Sequence, residues 1–311
     1  MKTFSDKKLR GQVSRLLREG QMYFSSDPEW QLNLEGIDSM VQFFGRSTKK
    51  AKRESTTHLC SELSLCYLLL LTFTLMTLAI DNKKAATLPI QHTWLGKKRP
   101  DPNFIVRSLL TQIVNYSLAV IRLVENGLDN PARCVLRTLN ELVSQTLVLL
   151  ADKSQLIEYA KAHDAHHAKE VWYTLFAKKG RLKKNLSKLE QEMGIPENSL
   201  SELRALRDDM DLNFSEAVHH SYVSTVVGAY NAPAETELLN LALGGSFGER
   251  SRSTLDSLNT ILVYFLHMLT HVFVNIHHFK FPTTDPFWKA AGLLAVSISK
   301  ISGNEDVGAP T

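Results

Sequence analysis

The 311-residue chain has three cysteines, Cys60, Cys66 and Cys134. So odd and sparse a set excludes the disulfide framework of a small secreted domain. The opening residues, MKTFSDKKLRGQ, lack the apolar core of a secretory signal. Both features lead to the expectation of a reducing, cytoplasmic setting. Alternating runs of strand type are missing; the β-branched stretch 222–230 alone reads as a lone strand or a loop. No repeat of fixed period occurs, which sets aside solenoids and propellers. The glycine-rich Gly244-Gly-Ser-Phe-Gly248 has no strand before it and no Gly-Lys-Ser/Thr after it, so a phosphate-cradling P-loop is excluded.

Charge is absent from two long stretches. Leu63–Ile80 runs 18 residues, and Ser257–Phe279 runs 23, without Lys, Arg, Asp or Glu. A membrane span needs about 20 mostly apolar residues. The first stretch carries Ser64, Thr72, Thr74 and Thr77, and the second holds four His and two Asn, which hydrocarbon penalises unless they face a bundle interior. Central helices of a soluble bundle account for both, so a membrane partner is not expected. In the second stretch Thr260, Tyr264, His267, His271, Asn275 and His278 fall within roughly a quarter of one helix's circumference. A surface stripe is normally written in Lys and Glu. This one predicts polar groups enclosed between helices, with hydrogen bonds satisfied there.

What is present is helical punctuation. The patterns predict helices at about 6–19, 56–80, 101–126, 131–151, 153–178, 181–193, 199–220, 251–279 and 286–299. Residues 20–55 are mixed, and 231–250 is the least regular segment. The expected fold is therefore all-α, a multi-helix bundle with an N-terminal helical extension. Residues 1–100 form a helical region, 101–300 the main bundle, and 301–311 a flexible tail. The basic surplus is confined to the start: residues 1–53 hold 11 Lys+Arg and 6 Asp+Glu, out of 36 and 32 in the whole chain. Such a surplus suits a polyanion, although solvated surface is its commonest role. A second basic cluster, Lys178 to Lys188, has Leu182, Leu186 and Leu189 on its other side, with Glu190 and Glu192 close by.

Two helices carry candidate chemistry. Helix 131–151 places Arg133, Arg137, Asn140 and Ser144 in one line with Glu141 beside them. The reading is either a solvent face with an Arg137–Glu141 ion pair or an Arg-lined anion site built on Arg133 and Arg137. Helix 199–220 places Arg204, Asp208, Asp211, Ser215 and His219 on one face, where Ser215 can reach His219 one turn on. No nucleophile elbow or oxyanion donor accompanies them, so a serine-hydrolase triad is poorly supported. His219 as a proton carrier is better matched. His267 and His271, four apart, are weak metal candidates that lack the glutamate of a metalloprotease helix. His163, His166, His167 and Glu170 form a second histidine group in a stretch expected to be exposed. No cofactor is implied.

Arg137-Thr-Leu-Asn-Glu141 in an apolar helix, followed by Ser215-Glu-Ala-Val-His219, resembles an uncharacterised family of helical bacterial proteins. That family is known only as a domain of unknown function, with Arg-x-x-x-Glu and Ser-Glu-x-x-His segments. The resemblance covers about 104–300. The family is in turn faintly similar to the HEPN group of all-α domains, many of which cleave RNA in toxin and phage-defence systems. The HEPN hallmark, Arg followed after four to six residues by His, is met here by Arg53-Glu-Ser-Thr-Thr-His58. The resemblance implies a nucleic-acid-directed, RNA-cleaving effector with Arg137, Glu141, Ser215 and His219 as catalytic residues. Two alternatives stand beside it: a non-catalytic helical module binding a protein partner or its own copies, and a metal-dependent enzyme using His267 and His271.

Overall fold

The computed structural model describes residues 7–23, 34–81, 103–162, 164–219, 225–226, 229–231 and 240–302. The fold is an all-α, multi-helix bundle. Helices α1 (Lys7–Tyr23), α2 (Leu34–His58) and α3 (Cys60–Asp81) are followed by α4 (Phe104–Glu125) and α5 (Asp129–Ala151). Next come α6 (Lys153–Ala160), α7 (Ala165–Trp172), α8 (Arg181–Glu192), α9 (Glu197–His219), α10 (Glu249–His271) and α11 (Pro286–Ser302). The β content among the described residues is one two-residue antiparallel pairing, Tyr230–Asn231 with Asn240–Leu241.

The helix α5 is the strut of the molecule. Its apolar stripe, including Leu136, Leu139, Val143 and Leu147, is fully enclosed and packs toward α4 and α10, while its polar line turns to α8 and α9. On the far side of the core α3 lies against α11, α4 and α10. Apolar residues surround α3, so it can be buried on several sides at once; Phe73 meets Phe265 of α10 at a ring separation of 5.1 Å. One core therefore spans residue 100, joining Leu69 and Phe73 to Ile113, Leu139 and Leu262. Four helical stretches, α3, α4, α5 and Glu249–Ile276, are long and apolar enough to cross a membrane. Between 44% and 56% of the most apolar 18 residues of each is buried within the bundle.

Several boundaries differ from the sequence expectation. The mixed stretch 20–55 holds a continuous helix, α2, which buries Ala51 and Ser55 at its C-terminal half. The expected single helix 153–178 is broken. Asp164 accepts a hydrogen bond from the His167 N–H at 2.9 Å, starting α7, and a π-helical turn follows at Tyr173–Ala177. Helix α5 begins at Asp129, two residues before the expected start at 131. Of the expected tail 301–311, Ile301 and Ser302 belong to α11; residues 303–311, the expected helix start at 101 and most of 222–239 lie outside the described residues.

Gly127 ends the α4 turn at φ +72°, where a β-carbon would lie 2.4 Å from the Ser246 nitrogen. The Ser246 N–H donates to the Gly127 carbonyl at 3.0 Å. The glycine-rich loop is thus a packing joint on the α4–α5 turn.

Helix α10 also stops earlier than expected. It passes into a π turn at Val272–Ile276, and His277 Nε2 comes within 2.7 Å of the Leu150 carbonyl. The chain then folds back into an aromatic cluster of Phe273, Phe279, Phe281 and Trp288. The uncharged polar line along α10 is enclosed over only part of its length. Tyr264 is covered by α8 and α9, and His271 is half-buried, whereas His267, Asn275 and His278 are exposed. Cover thins beyond Tyr264, where His271 meets the charge of Glu192 in the last turn of α8 and the His267 ring meets the Ser299 hydroxyl at 3.4 Å.

Candidate functional site

The polar line of α5 and the polar face of α9 meet in a cleft of about 240 Å³. From α5 come Arg137, Asn140, Glu141 and Ser144; from α9, Arg207, Asp211 and Ser215; Leu182, Lys183 and Leu186 of α8 close the third side. The apolar stripes on the opposite faces of α5 and α9 drive this placement, since burying Leu139, Val143, Met210 and Phe214 leaves the polar faces turned toward one another.

At the mouth, an Arg137 Nη1 lies 3.3 Å from His219 Nε2. A guanidinium can only donate, so Nε2 of His219 accepts and the ring's proton resides on Nδ1. The imidazole is neutral in this arrangement, with its lone pair directed at the cleft's cation. Deeper in, Asn140 Nδ2 donates to Asp211 Oδ1 at 3.1 Å, and Lys183 Nζ lies 2.7 Å from Asp208 and 3.4 Å from Asp211. The Lys183 partnership with Asp208 raises the lysine pKa and lowers that of the aspartate.

The four residues expected to act together are therefore neighbours: Arg137, Glu141 and Ser215 line one cleft, and His219 contacts Arg137 at its edge. Two expected contacts take another form. Glu141 accepts from Gln145 Nε2 at 2.9 Å, and Ser215 donates its hydroxyl to the Asp211 carbonyl at 2.5 Å. That back-bond along the helix occupies the proton a serine nucleophile would have to give up.

Arg133 stands apart from this cleft. It reaches toward α10, with Nε 3.4 Å from Thr254 Oγ1 and Nη2 3.4 Å from Ser253 Oγ. Burial lowers its pKa, and Arg250 adds to that effect. Beside it, burial raises Asp129 to about 6, against the opposing influence of the Ser251 hydroxyl, 2.8 Å away, and of Arg133 and Arg250. This is a charged joint between α5 and α10 rather than a second wall of the cleft.

Sequence reasoning missed the support under the cleft. Arg207 is fixed by an ion pair to Glu190, whose side chain is completely buried. Tyr264 donates to the same Glu190 oxygen at 2.7 Å, and the Arg207 guanidinium carbon sits 5.6 Å from the Tyr264 ring centroid. Burial pushes the Tyr264 hydroxyl pKa upward, so it remains a donor. Glu190 reads as surface in a lysine-rich run. The signal against that reading is its place beside Leu186 and Leu189, at the edge of the buried stripe of α8.

The histidine pairs show no ligand set for a metal. Among the described residues no three His, Cys, Asp or Glu side chains gather as ligands do. His267 Nδ1 lies 3.0 Å from the Val263 carbonyl and its Nε2 3.4 Å from Ser299 Oγ, while His271 Nδ1 lies 2.8 Å from Asn275 Nδ2. His163 falls outside the described residues, and His166 and Glu170 are exposed on α7. The Arg53–His58 spacing does not produce a pair; His58 stacks on Phe247 at 5.4 Å. A second cavity, of about 310 Å³ beside Phe104, Leu142 and Tyr159, has no charged group among the described residues that line it.

Residues 103–222 match a family of unknown function (DUF5677). The matched region contains α4 to α9 and all the described residues that line the cleft, together with His219. It stops short of α10, so Tyr264 lies outside it. No curated protein and no protein of solved structure matches the chain.

Proposed function

We propose that the α5–α8–α9 cleft binds a phosphodiester of RNA and cleaves it. This extends the expectation of a cytoplasmic effector of defence or toxin type. The observation that carries the reading is the Arg137–His219 contact at the mouth of a cleft that also holds Lys183 and Arg207. Planar guanidinium groups suit the non-bridging oxygens of a phosphate, and a neutral imidazole whose lone pair is released when Arg137 turns to the phosphate suits proton removal.

The step balances with groups present in the chain and substrate. His219 Nε2 takes the proton of a ribose 2′-hydroxyl as its oxygen bonds to phosphorus. The bond from phosphorus to the 5′ oxygen breaks, and that oxygen takes a proton from water. Arg137 would shift from His219 to the phosphate, offsetting the charge that builds on it. Glu141, exposed at the rim, would hold Arg137 in place after that shift.

The test is incubation of purified protein with fluorescently labelled single-stranded RNA. Arg137→Ala and His219→Ala are each expected to slow cleavage by about 100-fold or more. The Arg137–His219 contact is solvent-exposed, so its loss should cost less than about 1 kcal/mol of stability. Intact RNA with the parent, or unchanged rates in both variants, would overturn the reading.

A non-catalytic helical module is the second reading, favoured by the Asn140–Asp211 and Lys183–Asp211 contacts, which tie α5, α8 and α9 together. It differs in outcome: Arg137→Ala would then lower the melting temperature as strongly as it impairs any cellular effect.

A further inference from the structure

We infer that the outward face of α2 is a docking surface for the backbone of single-stranded nucleic acid. The inner side of α2 is committed to the bundle. Ala51 and Ser55 are buried, Thr48 donates its hydroxyl to the Gly244 carbonyl at 3.2 Å, and the Phe44 ring covers Gly244. At helical spacing the opposite side carries Arg46, Lys49, Lys50 and Arg53, with Phe43 at its leading edge. These five residues, with Ser47, line a shallow open groove of about 590 Å³.

The four cations stand along about 10 Å of helix rise. Lys50 has one long contact, 3.9 Å to Glu54, and among the described residues Arg46, Lys49 and Arg53 have no acidic partner. Phe43 is 45% exposed, a large apolar surface that the fold leaves uncovered within a cationic groove. Cations that track phosphates beside an aromatic face on which a base can stack form the usual platform for single strands.

A lipid surface fits less well. An interfacial helix turns its apolar face to the membrane with cations opposite or flanking, whereas here the exposed apolar residues Met40, Val41 and Phe44 lie in the N-terminal half of α2 and the cations stand beside its C-terminal half, where Ala51 and Ser55 are buried. The choice of polyanion rests on the nucleic-acid reading of the cleft, although the surface shares no residue with the cleft and binding does not require cleavage.

The experiment is fluorescence anisotropy of a labelled oligouridylate over a series of salt concentrations, with the full chain. The quadruple variant Arg46→Gln, Lys49→Gln, Lys50→Gln, Arg53→Gln is expected to weaken binding at least tenfold at low salt. Its log–log salt slope should fall by about 3, from roughly 0.7 per neutralised charge on a single strand. Phe43→Ala should weaken binding about fivefold or more with the slope unchanged. A deoxyuridine oligomer, which lacks the 2′-hydroxyl that cleavage needs, should bind the stripe as the oligouridylate does, so that a cleft unable to cleave and a surface unable to bind are separate results. Circular dichroism melts matching the parent confirm that the variants are folded. Equal affinity and equal slope for the parent and the quadruple variant would overturn the inference. So would stripe-dependent binding to phosphatidylserine vesicles with none to the oligouridylate.

Discussion

At the scale of single residues, Asp129 shows how the fold places charge under cost. Burial raises its carboxyl to about 6 despite the Ser251 hydroxyl and two arginines nearby, whereas in the unfolded chain it titrates near 4. Between those values the folded state holds the proton that the unfolded state has released. Stability from this residue is therefore fully present below about pH 4 and declines as pH rises toward 6. Asp129→Asn keeps an acceptor for Ser251 and removes the ionisation. Denaturant titration should find the variant more stable than the parent above pH 6, by up to about 3 kcal/mol. The difference should vanish below pH 4; a gap independent of pH would show that the carboxylate does not titrate in this way. Asp129 illustrates what sequence conceals: Asp-Asn-Pro reads as a helix start, and nothing local announces that α10 will cover it.

At the scale of helices, the legible features were those written within one helix. The apolar stripe and polar line of α5, and the Asp211–Ser215–His219 line of α9, follow from 3.6-residue spacing alone. That these two lines face each other depends on the packing of α5 against α9, which no local pattern encodes. Helix α2 was obscured because Gly36, Gly45 and a Ser/Thr-rich sequence weaken its helical signal; its C-terminal half is held by burial of Ala51 and Ser55.

The seam of α10 was read correctly in spacing and only partly in environment. Tyr264 is enclosed because Glu190 and Arg207 meet it from two further helices, and that three-helix knot is the element-level support of the cleft. Removing one partner of a buried ion pair strands the other. Glu190→Ala should therefore lower unfolding stability by about 3–5 kcal/mol in a urea titration, and Tyr264→Phe by about 1 kcal/mol. A Glu190→Ala midpoint equal to that of the parent would show that the knot does not hold the cleft's support together.

At the scale of the molecule, one core joins α3 to the helices that build the cleft, so the wall behind α5 includes residues from before and after position 100. The all-α class was legible from composition and punctuation; the continuity of the core across residue 100 was not, because the long stretch between α3 and α4 looks like a boundary. The matched region at residues 103–222 encloses the whole cleft, while α3 and α10 brace it from outside. In the mechanism proposed above, this braced cleft uses His219 to take a proton from a ribose hydroxyl while Arg137 holds the phosphate. Analysis of the RNA ends after digestion tests that most directly. The parent should yield 2′,3′-cyclic phosphate and 5′-hydroxyl termini, and His219→Ala should lose them. Products ending in 3′-hydroxyl and 5′-phosphate, or cyclic termini undiminished in His219→Ala, would contradict it.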